Sequence, residues 1–466
     1  MITLVEPQQH IAKLWSKPAV REGETYRLMR YVLRVDHEGK VLLHNVVTGQ
    51  LVVLEEQEAL LLNQLPAPYS AGMCQLIEGH YLVPDHFDEH RQAAGMRKAL
   101  WLMNETQQQK SVIHYTILPT TSCNARCYYC FEKGLKSQTM TESTADNVAA
   151  FIARSCNHQK EIHITWFGGE PTVASNRISQ ICSRLHDMGI RFHSQMITNG
   201  YLFDEELIEE AVSHWNLRMI QITIDGTEKS YNSIKSYVNV TDNPYERVMR
   251  NAGLMLERNI LVNLRMNFDL QNYRDFKLLA DEIVKRFGHH SMLRFRAHPV
   301  NGEYPDKDGI VEHGDNKWFE SQVLQLNSYA AGIGLYQGKK HLPSLKFQGC
   351  MAMSDSCVTI TPDGHLVSCP EQVDSGQYKG DVIQGLIRND VYRSWKKTAD
   401  YDRCALCALY PDCMRAANCS AKDRCQYLLF YQQEYADQIR QVYTTRTLRK
   451  EDKDDFPGTE DGVCPD

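Results

Sequence analysis

From residue 112 onward the hydrophobic positions alternate between two periods. Runs rich in β-branched residues at 112–118, 161–167, 192–197, 219–224, 261–268 and 292–297 read as strands. Between them apolar residues recur at helical spacing. Val148, Phe151 and Ile152 follow a Thr139-x-x-Glu142 capping pattern, and Phe276, Leu279, Ala280, Ile283 and Phe287 share one face of 273–287. Six such units predict an α/β fold over 111–300, an open partial (β/α)6 barrel of parallel strands. In that architecture chemistry belongs at the C-terminal strand ends.

The flanks follow other patterns. Residues 1–86 hold two β-rich runs, 26–35 and 40–47, around the turn Asp36-His37-Glu38-Gly39, then a strand at 50–54, a helix at 55–65 and a short strand at 79–84. This reads as a small winged-helix-like domain. Residues 87–110 read as a linker helix and 301–345 as a polar bridging region with a helix at 318–334. The Cys-rich stretch 346–446 ends in a helix at 426–444, and the charged tail 447–466 is expected to be flexible.

Composition narrows the function. A chain of 466 residues holds several compact units, and its net charge of −7 gives no reason to expect nucleic acid as partner. No apolar run approaches the ~20 residues that span a bilayer, and the first twenty lack a signal-peptide core, so no membrane is expected and the location is expected to be cytoplasmic. Fifteen cysteines in a reducing compartment call for a use other than disulfides.

Their spacing suggests that use. Cys123, Cys127 and Cys130 lie at C-x3-C-x2-C spacing after the first barrel strand, with Tyr129 just before the last thiol. Three thiolates this close can each bind one iron of a four-iron cluster and leave the fourth iron open. The competing reading is zinc, whose closed structural sites need four ligands at spacings of their own. Cys182 shares a helical face with Ile178, Ile181 and Leu185 and reads as core, as do Cys74 and Cys156 by default; Cys464 has no partner in view. The other strand ends carry Gly168-Gly169-Glu170-Pro171, Thr198-Asn199-Gly200 and Asp225-Gly226, with Arg265 and Asn267 on the fifth strand and Arg294 and Arg296 on the sixth. Taken singly, these are turns and ion-pair partners. Together they outline one rim.

The loop CNARCYYC, the WFGGEP turn, the ITNG turn and their order resemble the radical S-adenosylmethionine (SAM) enzymes over residues 112–300. The resemblance implies that Cys123, Cys127 and Cys130 hold a [4Fe-4S] cluster whose open iron chelates SAM, giving a 5'-deoxyadenosyl radical. It also implies that Gly168, Gly169 and Glu170 meet the SAM ammonium and that Tyr129 lies beside the adenine. Thr198, Asn199 and Asp225 would contact the ribose or methionine part. Arg265, with Arg296 as rival, is the choice for the SAM carboxylate.

A second cysteine group follows. Cys350, Cys357 and Cys369 bracket a Pro362-Asp363-Gly364 turn, and Cys404, Cys407, Cys413, Cys419 and Cys425 come after it. Eight thiols in so short a stretch point to a metal-bound domain, with a zinc ribbon as alternative. The group resembles the SPASM extension of radical SAM enzymes, which implies two auxiliary clusters and three [4Fe-4S] clusters in all. This sequence departs from the usual pattern, since Ala417 stands at the x3 position and the next thiol is Cys419. In that shifted register one cluster uses Cys404, Cys407, Cys413 and Cys425, and the other Cys350, Cys369, Cys419 and either Cys357 or an open iron.

The N-terminal pattern looks like the peptide-recognition element of enzymes that modify ribosomally made peptides, where a leader adds as a strand to a sheet edge. With LPTTSCNARCYYC, the domain order resembles maturases of the ranthipeptide and sactipeptide type, which join a Cys sulfur to a carbon of another residue. The implied partners are a leader-bearing precursor peptide and an electron donor such as flavodoxin or ferredoxin. Other radical outcomes remain open: a carbon–carbon link, epimerisation or sulfatase formylglycine formation. Against the last, Cys369 is followed by Pro370-Glu371 and not by Asp. A non-catalytic zinc-binding peptide-interaction protein is the second alternative.

Overall fold

A computed structural model gives the fold. It describes residues 1–15, 21–107, 111–157, 161–300, 316–336, 342–345, 350–398, 400, 402–413, 416–419 and 435–445.

The N-terminal unit contains β1 (Ile2–Val5), β2 (Thr25–Leu28), β3 (Val32–His37), β4 (Lys40–Asn45), β5 (Leu51–Leu54), β6 (Ala67–Pro68) and β7 (Leu82–Pro84). The expected hairpin forms between β3 and β4, where Glu38 (φ 49°) and Gly39 (φ 71°) take the left-handed conformations of a two-residue turn. The single run expected over 26–35 is two strands. A turn at Met29–Val32, with Val32 N donating to Met29 O, passes the chain between sheets, so β2 pairs with β7 and β6 while β3 joins the sheet β1-β5-β4-β3. The helix Glu56–Leu62 starts on a reciprocal capping box between Glu55 and Glu58. The helix Glu89–Gln107 then leads to the barrel.

The barrel strands are β8 (His114–Thr120), β9 (Ile162–Gly168), β10 (Phe192–Thr198), β11 (Leu217–Thr223), β12 (Leu261–Phe268) and β13 (Leu293–Pro299). They run parallel in simple order, as the alternating units predict. One addition was not predicted. β14 (Cys357–Ile360), from the Cys-rich region, pairs parallel to β8 and carries β15 (Leu366–Val367), so the sheet has eight strands. The helix after the cysteine loop is capped by Thr141, which accepts from Thr144 N, and not by Thr139, whose hydroxyl is taken by Thr120.

Alternation along the strands separates two faces. Ile162, Ile164, Trp166, Val262, Leu264 and Met266 are buried beneath the helices. Thr165, Gln195, Gln221, Arg265 and Arg296 lie at the other phase, toward the concave side, where Gln195 donates to Thr165 and Arg296 to Gln221. A parallel sheet covered on both faces would read as continuous apolar runs; this one is polar on one side.

A second core joins the chain's two ends. Tyr26, Tyr31, Leu42, Val52 and Tyr81 of the N-terminal unit pack in one cluster with Leu345, Cys407, Leu409, Tyr410, Tyr435 and Ile439. His44 sits in this seam, fully buried, with Nε2 2.7 Å from the Pro343 carbonyl. Burial pulls it down to about 4, against the Pro343 contact and Asp412. A lowered folded-state value makes the stabilisation complete above the unfolded value near 6.5 and lost as pH falls toward about 4. That loss is expected to reach about 3 kcal/mol. Thermal melts from pH 7.5 to 4.5 should show this limb, and His44→Gln should flatten it.

Candidate functional site

The cysteine loop leaves β8 and is tied down along its length. Thr121 N donates to Gln138 O, Arg126 N to Lys235 O, Val238 N to Asn124 O and Glu170 N to Ser122 O. The thiols of Cys123, Cys127 and Cys130 are free and half-buried. Burial pushes Cys123 up to about 12, with Glu170 adding, and raises Cys127 and Cys130, with Lys235 opposing in both. Protonated thiols crowded beside a cation suit a metal centre, which binds them as thiolates.

The double glycine after β9 permits this packing. A Cβ on Gly168, whose φ is 123°, would stand 2.2 Å from Thr120 O, and one on Gly169 2.5 Å from the carbonyls of Thr121 and Ser122. Glu170 lies next to them, fully buried. Its carboxylate accepts from Thr172 N and Oγ1, from Thr198 Oγ1 and from Asn199 N. With four donors already in place, Glu170 braces the end of β9 against the end of β10. Asn199 in turn donates from Nδ2 to Asn124 Oδ1 at 2.7 Å, reaching back to the cysteine loop.

Across the rim, Asp225 is fully buried after β11. One oxygen accepts from Asn267 N; the other takes Lys235 Nζ at 2.8 Å and the Tyr129 hydroxyl. Lys235, 2% exposed, also donates to Tyr129 Oη and Thr223 Oγ1. Burial lowers its pKa, but Asp225, Tyr129 and Cys127 together hold it well above the ordinary lysine value. Tyr129 thus has its hydroxyl committed to protein, leaving its ring for stacking. Arg265 Nε donates to Asn267, and burial with Arg296 alongside pulls Arg265 down to about 10. Arg265 and Arg296 are register partners on β12 and β13, and among the described residues neither has an ion-pair partner.

Of the residues picked from the sequence, Tyr129, Thr198, Asn199, Asp225 and Arg265 gather around the loop with the glycine turn. Lys235 was missed. It ends the helix Glu228–Lys235, whose sequence gives no sign that its last side chain turns inward.

The second cysteine group divides in two. Cys357 opens β14 beside His114, and Cys350, Cys369 and Cys419 lie close by: burial pushes Cys369 up to about 11 with the charges of Cys350 and Cys419 adding, and raises Cys357 with Cys350 adding. Cys404, Cys407 and Cys413 form a compact turn, with Cys407 N donating to Cys404 O and Cys413 N to Leu409 O. Cys425 and Cys464 lie outside the described residues. Among the described residues no three His, Cys, Asp or Glu side chains converge on one point as a single ion requires. The fit of the thiols to a cluster rests on their number and chemistry.

The rim is that of a parallel half-barrel, with three thiols at the end of its first strand and a glycine turn packed against them. Residues 117–283 match the Radical SAM superfamily model. Among curated proteins the chain is similar to the radical SAM cyclopropyl synthase TigE of Paramaledivibacter caminithermalis, 24% identical over 223 residues, 39% of this chain. The match spans 46% of TigE, about half its length. Among solved structures it is similar to anSMEcpe with bound AdoMet and Cp18Cys peptide, at TM-score 0.54 and 14% identity over 72% of this chain and 99% of the other. It is also similar to Streptococcus suis SuiB bound to S-adenosylmethionine, at TM-score 0.51 and 14% identity over 83% and 94%. These likenesses establish the fold.

Replacing Lys235 by Met strands the Asp225 carboxylate in a dry site and is expected to cost about 3–5 kcal/mol. The double variant Asp225→Asn with Lys235→Met should recover most of it, as urea melts of the wild type and the two variants would show.

Proposed function

We propose that the chain is a radical SAM maturase of a ribosomally synthesised precursor peptide, closing thioether crosslinks between a Cys sulfur and a carbon of an acceptor residue. The observation that carries this reading is the conjunction in one body of the three-thiol rim, a second set of thiols and an N-terminal antiparallel sheet. Solved neighbours of the same fold have been captured with peptides: anSMEcpe with Cp18Cys and SuiB with precursor peptide SuiA.

Cys123, Cys127 and Cys130 would hold the first [4Fe-4S] cluster, with SAM on its open iron. The neighbouring thiols Cys350, Cys357, Cys369 and Cys419 suit a second cluster, and Cys404, Cys407 and Cys413, with Cys425, a third. When bound, these groups supply a 5'-deoxyadenosyl radical that removes one hydrogen atom and an acceptor for one electron. The chain's residues do the rest. Arg265 and Arg296 offer two guanidinium groups to the SAM carboxylate, the Gly168–Gly169 backbone meets its ammonium, and the Tyr129 ring lies beside the adenine. β3, an edge strand of the N-terminal sheet, offers backbone groups to an incoming leader strand. Closure takes a hydrogen atom from the acceptor carbon, a proton from the peptide thiol and one electron, for a net loss of two hydrogens. A flavodoxin or ferredoxin is the implied source of the initiating electron.

The likeness to a cyclopropyl synthase favours carbon–carbon closure as the second reading. Anaerobic reconstitution should load about twelve irons, and Ala at Cys123, Cys127 and Cys130 should remove about four of them together with all 5'-deoxyadenosine formation. A short Cys-containing precursor encoded nearby should lose two hydrogens and become resistant to iodoacetamide; loss of hydrogens with an alkylatable thiol would favour the second reading. Arg265→Met should weaken SAM binding at least about tenfold, by equilibrium dialysis against reconstituted protein.

A further inference from the structure

Arg97 is a buried cation that the rim does not use. It projects from the helix Glu89–Gln107 and is 3% exposed. Its Nη2 donates to the Cys413 carbonyl, and its guanidinium lies 4.1 Å from the centre of the Tyr410 ring. Both contacts belong to the turn that carries Cys404, Cys407 and Cys413, so the planar fork is fixed against that turn at two points. Among the described residues, Nε and Nη1 are buried with no hydrogen-bond acceptor. The Cys413 carbonyl and Tyr410 compensate the guanidinium only in part, since no carboxylate pairs with it among the described residues, and donors left empty in a dry interior favour a negatively charged group that accepts hydrogen bonds.

We propose that Arg97 donates hydrogen bonds to the sulfurs of the metal centre held by Cys404, Cys407 and Cys413, and thereby sets its reduction potential. This rests on the cluster reading given above. Beside the Asp412 carboxylate, which accepts from Ser344 N, and the Tyr410 hydroxyl, the turn offers sulfur as an anionic acceptor, as thiolates and as cluster sulfide. A thiolate-ligated iron–sulfur cluster is an anion and gains one further negative charge on reduction, with no bond made or broken. A fixed cation and N–H donors beside it favour the reduced form and raise the potential. The helix thus ties the N-terminal unit to the redox state of one centre.

The test compares full-length, anaerobically reconstituted wild type, Arg97→Lys and Arg97→Met by iron content and EPR-monitored potentiometric titration. Lys keeps the charge and loses the fork; Met loses both. One auxiliary signal should move to lower potential, with the reduced-to-oxidised ratio at fixed poise falling about tenfold in Arg97→Lys, or ~59 mV, and further in Arg97→Met. The remaining signals should hold still as internal controls. Unmoved signals at full iron content overturn the proposal alone, and so does iron loss in Arg97→Lys, which would make the residue a folding element. Should Arg97→Met fail to fold, Arg97→Lys decides. Wild type holding iron for the first loop only overturns the cluster reading and this proposal together.

Discussion

The rim depends on a single buried ion pair. Asp225 and Lys235 stand 2.8 Å apart, with side-chain exposures of 0% and 2%, and such a pair is tolerable only when its remaining donors and acceptors are filled. They are, and by groups from different elements. Asp225 fixes Asn267 of β12 through its backbone and Tyr129 of the cysteine loop through its hydroxyl. Lys235 adds Thr223 of β11 by its side chain and Arg126 of the loop by its carbonyl. Ser236, at φ 47°, then turns the chain sharply away. The loop that presents the thiols is therefore positioned from within the barrel, by electrostatics in a place that water does not reach.

The N-terminal unit is fixed as firmly, but by apolar packing. Its core is completed by residues from the far end of the chain, Tyr410 and Ile439 among them. Polar contacts then set the register: Glu89, 1% exposed, receives Arg27 Nη1 and Arg30 N at 2.9 Å, and Arg30 reaches on to the Ala405 carbonyl. The N-terminal unit and the cysteine turn thus share one packed core among the described residues.

The sequence made the barrel legible because each strand carries a local period that one strand can satisfy alone. The same holds for the cysteine loop and for Gly168–Gly169, where close approach excludes any side chain. What stayed hidden depends on contacts between distant segments. The split of 26–35 into β2 and β3 is decided by Tyr81 and Pro84, some fifty residues on. β14 reads as half of a hairpin, and its pairing with β8 lies beyond local pattern. Lys235 looks like any lysine at a helix end. Arg97 sits in a run of helix formers, and only tertiary packing strips it of solvent.

The concave face sorts charge along its depth. Near the start of the strands, His114, His163 and His193 stand in register on β8, β9 and β10, the first two stacked with ring centres 4.5 Å apart. Burial lowers His114 and His163 below the ordinary histidine value, and each is lowered further by its histidine neighbours, so the two are neutral at neutral pH. Arginine behaves differently under the same pressure: at about 10, Arg265 is still charged. Toward the strand starts the concave side carries this histidine row, with Glu161 3.3 Å from His193, while Arg265 and Arg296 place positive charge farther along β12 and β13. An anionic ligand entering the open barrel meets that pair of arginines on the second half of the sheet, and not the histidine row.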